Sequence, residues 1–237
     1  MPKGHDTPRS QPISTHNQKI AKQAAFETVQ SSVSSWEDRA LTLVGESSLE
    51  WIRALARREA EMVFTSLAHR IDLYLLKQSF KKIRKSGSTG VDKVTAKEYA
   101  KNLEENLYNL HQRLRRGQYV ASPVRRVWID KEGGKKRPIS ITALEDKIVQ
   151  KAVATILGAI YDADFYDFSH GFREGHSQHK AVSEIREACL KLNIGWIVSA
   201  DITGLFDNIE HNLLRSMIKR RVNDGGILRL IGKSLNA

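Results

Sequence analysis

The 237-residue sequence contains one cysteine, Cys189, so no disulfide can form within the chain and a cysteine-based zinc cluster has no support. One cysteine is typical of a reducing cytoplasm. No apolar run approaches the roughly 18–20 residues that a membrane-spanning helix needs. The polar segment 1–18 also lacks the apolar core of a signal peptide. We therefore expect a cytoplasmic protein with no membrane partner.

Acidic residues are also scarce relative to basic ones, at 27 Asp and Glu against 38 Lys and Arg, for a net charge of +11. Nine basic residues lie between Arg113 and Arg137, opposed there by Asp130 and Glu132 alone. A scattered excess is usually a solvated face. A clustered one on a predicted hairpin favours a phosphate-binding surface.

The remaining composition, 41% hydrophobic residues, is that of a globular chain. Apolar residues recur at helical spacing in several segments, which are 48–62, 64–85, 95–116, 145–160 and 181–192, and more weakly in 19–44. Between 124 and 141 the period changes to two around the turn at 131–135, which predicts a basic β-hairpin. Residues 1–45 are expected to be a poorly structured leader.

A run of apolar residues, Trp196 to Ala200, predicts a strand that ends at Asp201. A turn containing Phe206 and a helix near His211 follow. A strand-end carboxylate and the carbonyl of Ile202 are hard oxygen donors of the kind that Mg²⁺ prefers. An isolated strand-end aspartate more often caps a turn, and a nuclease built on Asp201 and Asp207 has no other support.

Three histidines invite a metal interpretation, His176, His179 and His211. The first two are three residues apart on a predicted helix, but no cysteine or acidic cluster joins them. We therefore expect no zinc site.

Five segments in order resemble reverse transcriptases encoded by group II introns. Asp201 lies in a block similar to A-D-I-K-G-F-F-D-N-I-x-H. Residues 86–95 are similar to the G-x-T/A-G-x-D loop, and 119–141 to the fingers hairpin. Residues 144–150 are similar to the helix after that hairpin, and 168–175 to the S-Y/F-G-F-R-P-G loop. Each block alone is a weak signal, whereas five collinear blocks are specific.

The resemblance implies an RNA-directed DNA polymerase that also binds its intron RNA in a maturase role. It implies an α+β right-hand polymerase fold, with N-terminal helices and fingers over 46–142 and the rest of the fingers and a partial palm over 143–237. The implied partners are an RNA template or intron RNA, a DNA primer and deoxynucleoside triphosphates.

Site roles also follow from the resemblance. Asp201 would be the catalytic metal ligand, together with the Ile202 carbonyl. The residues implied in nucleotide binding are Lys131, Arg137, Thr203, Gly204, Leu205 and the steric-gate aromatic Phe206. Those implied in nucleic-acid binding are Arg125, Arg126, Lys135 and Lys136. The sequence departs from the family pattern at Asp130, where proline is usual, and at Thr203, where lysine is usual.

The family's second metal-binding aspartates form an Asp-Asp pair, and this sequence contains none. We therefore expect a chain truncated before the Asp-Asp hairpin, inactive alone, with an incomplete site for two Mg²⁺ ions. A second polypeptide that completes the palm is one alternative. A non-catalytic RNA-binding module is another.

Overall fold

The computed structural model describes residues 48–130, 134 and 136–237. Eight helices occur in this part of the chain: α1 (48–58), α2 (Leu73–Lys82), α3 (Ala96–Tyr99), α4 (Leu103–Arg115), α5 (Leu144–Tyr161), α6 (Gln178–Lys191), α7 (His211–Lys219) and α8 (Gly225–Leu235). Strands β1 (Arg125–Asp130) and β2 (Lys136–Ile141) form an antiparallel sheet. This combination of helices and a small antiparallel sheet is compatible with the expected α+β class.

Short polar side chains fix where four of the helices begin. The carboxylate of Asp72 accepts a hydrogen bond from the Leu75 amide at 2.7 Å, at the start of α2. Thr95, Ser177 and Asp224 accept equivalent bonds at the starts of α3, α6 and α8. Each cap satisfies an amide that has no partner inside the helix, an effect worth about 1 kcal/mol.

Helix α5 is the centre of the hydrophobic core. Its residues Ile148, Val149, Ala152, Ile156 and Ile160 are fully buried. They join buried residues of α1, α2, α4 and α8, including Ile52, Leu76, Leu107, Leu110 and Ile227. Burying one such side chain stabilises the fold by about 1.5–3 kcal/mol. Elements on both sides of residue 143 share this core, and the predicted domain boundary there stays a prediction.

A buried polar connection holds the segment after α7 against the first helix. Phe64 donates its amide to the Arg221 carbonyl at 2.8 Å and accepts from the Asn223 amide at 2.8 Å. The Arg221 guanidinium, which is 6% exposed, donates to carbonyl oxygens at and just beyond the end of α1 and to the Asp164 carboxylate at 3.0 Å. A buried cation is tolerated because these acceptors surround it.

Asp224 completes the same connection. Its carboxylate accepts from the Leu67 amide at 2.6 Å and the Ala68 amide at 3.1 Å while it caps α8. Residues 221–231 are therefore part of the core, although they lie near the C-terminal end of the sequence.

Some expectations from the sequence are confirmed and others are wrong. The hairpin over 124–141 forms, as does the helix expected from residue 145. The single helix expected over 95–116 is interrupted by a 3-10 turn at Ala100–Asn102. The weak helix expected over 19–44 lies outside the described residues.

The strand expected over 196–201 does not form. These residues have no regular structure, and Trp196 and Val198 are 92% and 91% exposed. The apolar face expected for the helix near residue 185 exists in sequence, but α6 buries none of its residues. A strand needs a neighbour to satisfy its backbone groups, and no strand beside 196–201 occurs in the described part of the chain.

None of the helices within residues 48–130 and 136–237 combines the length and apolar character needed to cross a membrane.

Candidate functional site

The register of the hairpin divides the predicted binding residues between its two faces. Arg126 pairs with Ser140, and Ile129 pairs with Arg137. Because paired residues share a face and successive residues alternate, Arg125 and Arg137 lie on one face, and Arg126 and Lys136 lie on the other. Lys131 and Lys135, two further predicted binding residues, lie outside the described part of the chain.

Trp128 was not among the predicted site residues, although the alternation of the hairpin could have revealed it. It pairs with Pro138 and shares the face of Arg126 and Lys136. Its side chain is 58% exposed. An exposed aromatic ring between two cations can stack on a base while the cations contact phosphates.

The Arg125 side chain makes a structural contact. Its Nε and Nη2 atoms donate to the Thr89 carbonyl at 3.0 and 2.9 Å. Lys147 of α5 donates to the Ser88 carbonyl at 2.7 Å. These two cations hold the loop 86–92 beside the base of the hairpin.

Close backbone packing explains why this loop has glycine at position 90. A Cβ at Gly90 would lie 2.6 Å from the Ala143 Cα and amide nitrogen, closer than real Cβ atoms approach. The absent side chain lets the loop backbone contact the backbone that joins β2 to α5.

The basic cluster seen in the sequence is also divided in space. Arg113 pairs with the Glu145 carboxylate at 2.6 Å, which also accepts from the Tyr99 hydroxyl at 3.2 Å. Burial and the Glu145 charge raise the pKa of Tyr99 well above its usual range, so the phenol remains a donor. Within the described residues, the free positive charge of the hairpin therefore comes from Arg126, Lys136 and Arg137.

The segment around Asp201 has the predicted turn but not the predicted strand. Asp201 and Ile202 are exposed, and Thr203, Gly204 and Leu205 form a turn. Gly204 has φ +65°, and its carbonyl accepts from the Asn208 side chain at 2.8 Å. The 3-10 helix Phe206–Asn208 follows, with Phe206 79% exposed.

This turn has consequences for two predicted roles. Its positive φ favours glycine at 204, and the aromatic ring of Phe206 stands free in solvent. The described residues contain no hydrogen bond or ion pair that joins the hairpin to 201–206.

The segment at Asp201 offers some of the oxygen ligands that a metal ion needs. The Asp201 carboxylate and the Ile202 carbonyl have the oxygen chemistry that suits Mg²⁺. Over 48–130 and 136–237, however, no three His, Cys, Asp or Glu side chains cluster in a way that could hold a metal. The residues present fit the ion in kind but do not complete a site.

His170 and His176 form a pair that the sequence did not indicate. Their Nδ1 atoms are 3.0 Å apart, and His170 Nε2 is 3.0 Å from a Glu184 carboxylate oxygen. Desolvation and the positive charges of Lys180, Arg173 and His170 lower the pKa of His176, outweighing the opposing effect of Asp162. The three groups link the loop 165–176 to α6.

Comparison with known proteins gives the class of this chain. A family model described as "Reverse transcriptase (RNA-dependent DNA polymerase)" matches residues 129–226. That stretch contains most of the hairpin, α5, α6, Asp201 and α7. Residues 129–226 are therefore reverse transcriptase sequence.

The relatives narrow the class further. The chain is 37% identical over 194 residues to the group II intron-encoded protein LtrA of Lactococcus lactis, covering 80% of this chain and 32% of LtrA. It is 34% identical over 151 residues to protein YkfC of Escherichia coli, covering 62% of this chain and 40% of YkfC. It is 30% identical over 124 residues to nuclear intron maturase 2 of Arabidopsis thaliana, covering 49% of this chain and 16% of that protein.

These similarities are to proteins of the group II intron-encoded reverse transcriptase and maturase type. The chain spans 32% of the length of LtrA and 40% of the length of YkfC.

Proposed function

We propose that this chain supplies the fingers and the first part of the palm of an RNA-directed DNA polymerase that also binds intron RNA. In this proposal residues 46–142 are the N-terminal helices and fingers, 143–237 are the rest of the fingers and a partial palm, and 1–45 are a leader. The supporting observation is an exposed basic hairpin on a well-packed helical core, followed in sequence by the Asp201 turn.

The hairpin would bind nucleic acid and the incoming nucleotide on different faces. Arg137 would hold the triphosphate with Lys131, since a guanidinium forms two parallel hydrogen bonds to phosphate oxygens. Arg126 and Lys136, with Lys135, would contact the RNA backbone. Arg125 would act indirectly, by holding the loop 86–92 against the hairpin.

The turn after Asp201 would complete the nucleotide site. Backbone amides of Thr203, Gly204 and Leu205 would face the β and γ phosphates, as turn amides do in anion-binding nests. Phe206 would exclude a ribose 2′ hydroxyl and so select deoxynucleotides. Its exposed ring is available for that contact.

Asp201 and the Ile202 carbonyl would be Mg²⁺ ligands. Two bound Mg²⁺ ions would activate the primer 3′ hydroxyl and stabilise the leaving pyrophosphate. The sequence contains no Asp-Asp pair to share these ions with Asp201. Further carboxylates, beyond those of residues 1–237, would be required for the reaction.

The test is primer extension with and without a complementing polypeptide. Purified chain 1–237 alone should incorporate no deoxynucleotide on an RNA template. A mixture with the part of LtrA outside its similarity to this chain should extend the primer, and Asp201→Ala should reduce that rate by several orders of magnitude.

Glu105→Ala, at an exposed α4 carboxylate, is the matched control and should leave the rate unchanged. Extension by the isolated chain that depends on Asp201 would contradict the need for further carboxylates. Extension by the mixture that is indifferent to Asp201→Ala would contradict the proposed site.

A further inference from the structure

A surface cleft of about 590 Å³ lies between the start of α2, the C-terminal end of α4, and α8. Five of its lining side chains are basic or titrate to a cation: His69, His111, Arg115, Arg229 and Lys233. Asp72 is the one acid among the described residues that line it. We call this feature the α4–α8 cleft. None of these residues belongs to the predicted polymerase site.

The charge balance of the α4–α8 cleft is positive because Arg115, Arg229 and Lys233 outnumber its one acid. Asp72 caps α2 through the Leu75 amide at 2.7 Å. Arg115 and Arg229 are exposed, and neither guanidinium has a hydrogen bond or ion pair with any residue in the described part of the chain. Two guanidinium groups therefore face the cleft with their donors available.

The backbone at the end of α4 lets one of these guanidiniums approach closely. Gly117 ends α4 in the left-handed region, at φ +70°. A Cβ at Gly117 would lie 3.5 Å from Arg229 Nη1, so the guanidinium lies directly against this glycine. Lys233 donates to the Tyr119 carbonyl on the same side, which holds the α8 cations toward the end of α4.

His111 adds a group that responds to an anion. Desolvation and the charge of Arg115 lower its pKa, and Asp72 opposes them. Its ring is therefore mostly neutral near pH 7, when the cleft is empty of anions. An anion bound between Arg115 and Arg229 would favour the protonated ring, so His111 can report on occupancy.

We infer that the α4–α8 cleft binds the phosphate backbone of an RNA strand as a second contact, separate from the hairpin. Paired guanidiniums match phosphate geometry, and apolar Ile71, Leu114 and Leu230 form lining on which a base or ribose can pack. The choice of RNA as ligand rests on the proposed function.

The salt dependence of RNA binding tests this inference. A fluorescein-labelled RNA hairpin is titrated with the full chain by fluorescence anisotropy over a range of salt concentrations. Arg115→Gln combined with Arg229→Gln removes two phosphate contacts, so the slope of log affinity against log salt should fall by about 1.4–1.8.

The matched control is Lys97→Gln with Lys101→Gln, which removes two exposed charges from the segment 96–102. It should leave the slope nearly unchanged. A second variant, Arg126→Gln with Lys136→Gln, tests the hairpin separately. A reduced slope for the hairpin variant, with the cleft variant equal to the control, overturns the cleft and leaves the proposed function intact.

The signal of the His111 ring gives a second readout, measured on the wild-type chain. It is assigned by comparison with His111→Gln and followed by proton NMR as RNA is added. The His111 pKa should rise on addition of RNA and should not rise on addition of an acidic peptide. A His111 pKa that RNA leaves unchanged, or that the peptide raises equally, overturns the inference. RNA binding that neither variant weakens overturns both proposals.

Discussion

Two regions of this chain carry the same kind of amphipathic sequence and fold in different ways. In the core region, residues 48–161 with 221–231, Ile148 of α5 is fully buried. In the exposed region, residues 178–219, Ile185 of α6 is 53% exposed, and Trp196, Val198 and Phe206 are largely in solvent. An apolar stripe therefore predicts burial only where another element supplies the opposing surface.

The core region has that surface because distant segments return to it. Arg221 attaches the residues after α7 to the C-terminal end of α1, and Asp224 attaches them to 67–68. The exposed region contacts the core near its end, where the Tyr161 hydroxyl donates to the Ile218 carbonyl at 3.0 Å. Within the described residues, α6 and 194–206 have no hydrogen bond or ion pair with the core region. In the proposed function, further palm polypeptide would cover the apolar side chains of α6 and 194–206.

Amide hydrogen exchange should show the largest difference between the two regions. Amides of α2 and α5, and the Asn223 amide bonded to the Phe64 carbonyl, should exchange only on global unfolding, slower than free amides by a factor of about 10³ or more. Amides of 194–206 should exchange within a factor of about 10 of free amides. Mass spectrometry on peptic fragments measures both.

The experiment needs a monomer, since exposed apolar surface promotes association. Size-exclusion chromatography at each protein concentration supplies that control. Strong protection of 194–206 in a monomer would contradict the comparison and would mean that this segment has found a partner surface within the chain.

Two matched isoleucine-to-alanine substitutions, one in each region, should sharpen the comparison. Ile148→Ala in α5 leaves a cavity in a close-packed core and should lower the free energy of unfolding by about 2–5 kcal/mol. Ile185→Ala in α6 removes the same atoms from a solvated face and should change it by no more than about 0.5 kcal/mol. Urea denaturation followed by circular dichroism gives both values.

Equal effects of the two substitutions would refute the assignment of α6 to an exposed region. A large effect of Ile185→Ala alone would indicate that α6 is packed in the molecule in solution.

Local pattern predicted those elements whose partners are near in sequence. The hairpin was predictable because its two strands alternate around a short glycine-containing turn, and α5 because its apolar face is continuous. The strand expected at 196–201 was wrong because an apolar run cannot pair alone. The role of Asp224 was not predictable, since its Leu67 partner lies 157 residues away in sequence.

The candidate site was predictable in part for the same reason. The turn at 203–205 and the helix that starts at His211 follow from local sequence. The division of Arg126 and Arg137 between two faces follows from the hairpin register, once the pairing is known. The contact of Arg125 with the Thr89 carbonyl depends on the packing of a loop 36 residues away, and no local pattern indicates it.

The smallest predicted effect is the difference in stability between substitutions at two aspartates. Asp224 lies in the core region and Asp201 in the exposed region. Burial alone raises the pKa of Asp224, but hydrogen bonds from the amides of Leu67, Ile227, Ala68 and Gly226 outweigh it, so the pKa lies below its ordinary value. Asp224→Asn replaces one carboxylate oxygen with a donor facing these amides. It should cost about 1–3 kcal/mol, whereas Asp201→Asn should change stability by no more than about 0.5 kcal/mol.

The pH dependence separates the charge of Asp224 from its shape. Because its pKa is lowered in the folded state, its contribution is complete above the unfolded pKa, about 3.8–3.9, and is lost as the pH falls through the folded value. The stability difference between the wild type and Asp224→Asn should therefore narrow as the pH is lowered from about 5 toward 3. Urea denaturation at several pH values measures it, and a difference that stays constant over this range would show that the carboxylate acts by shape alone.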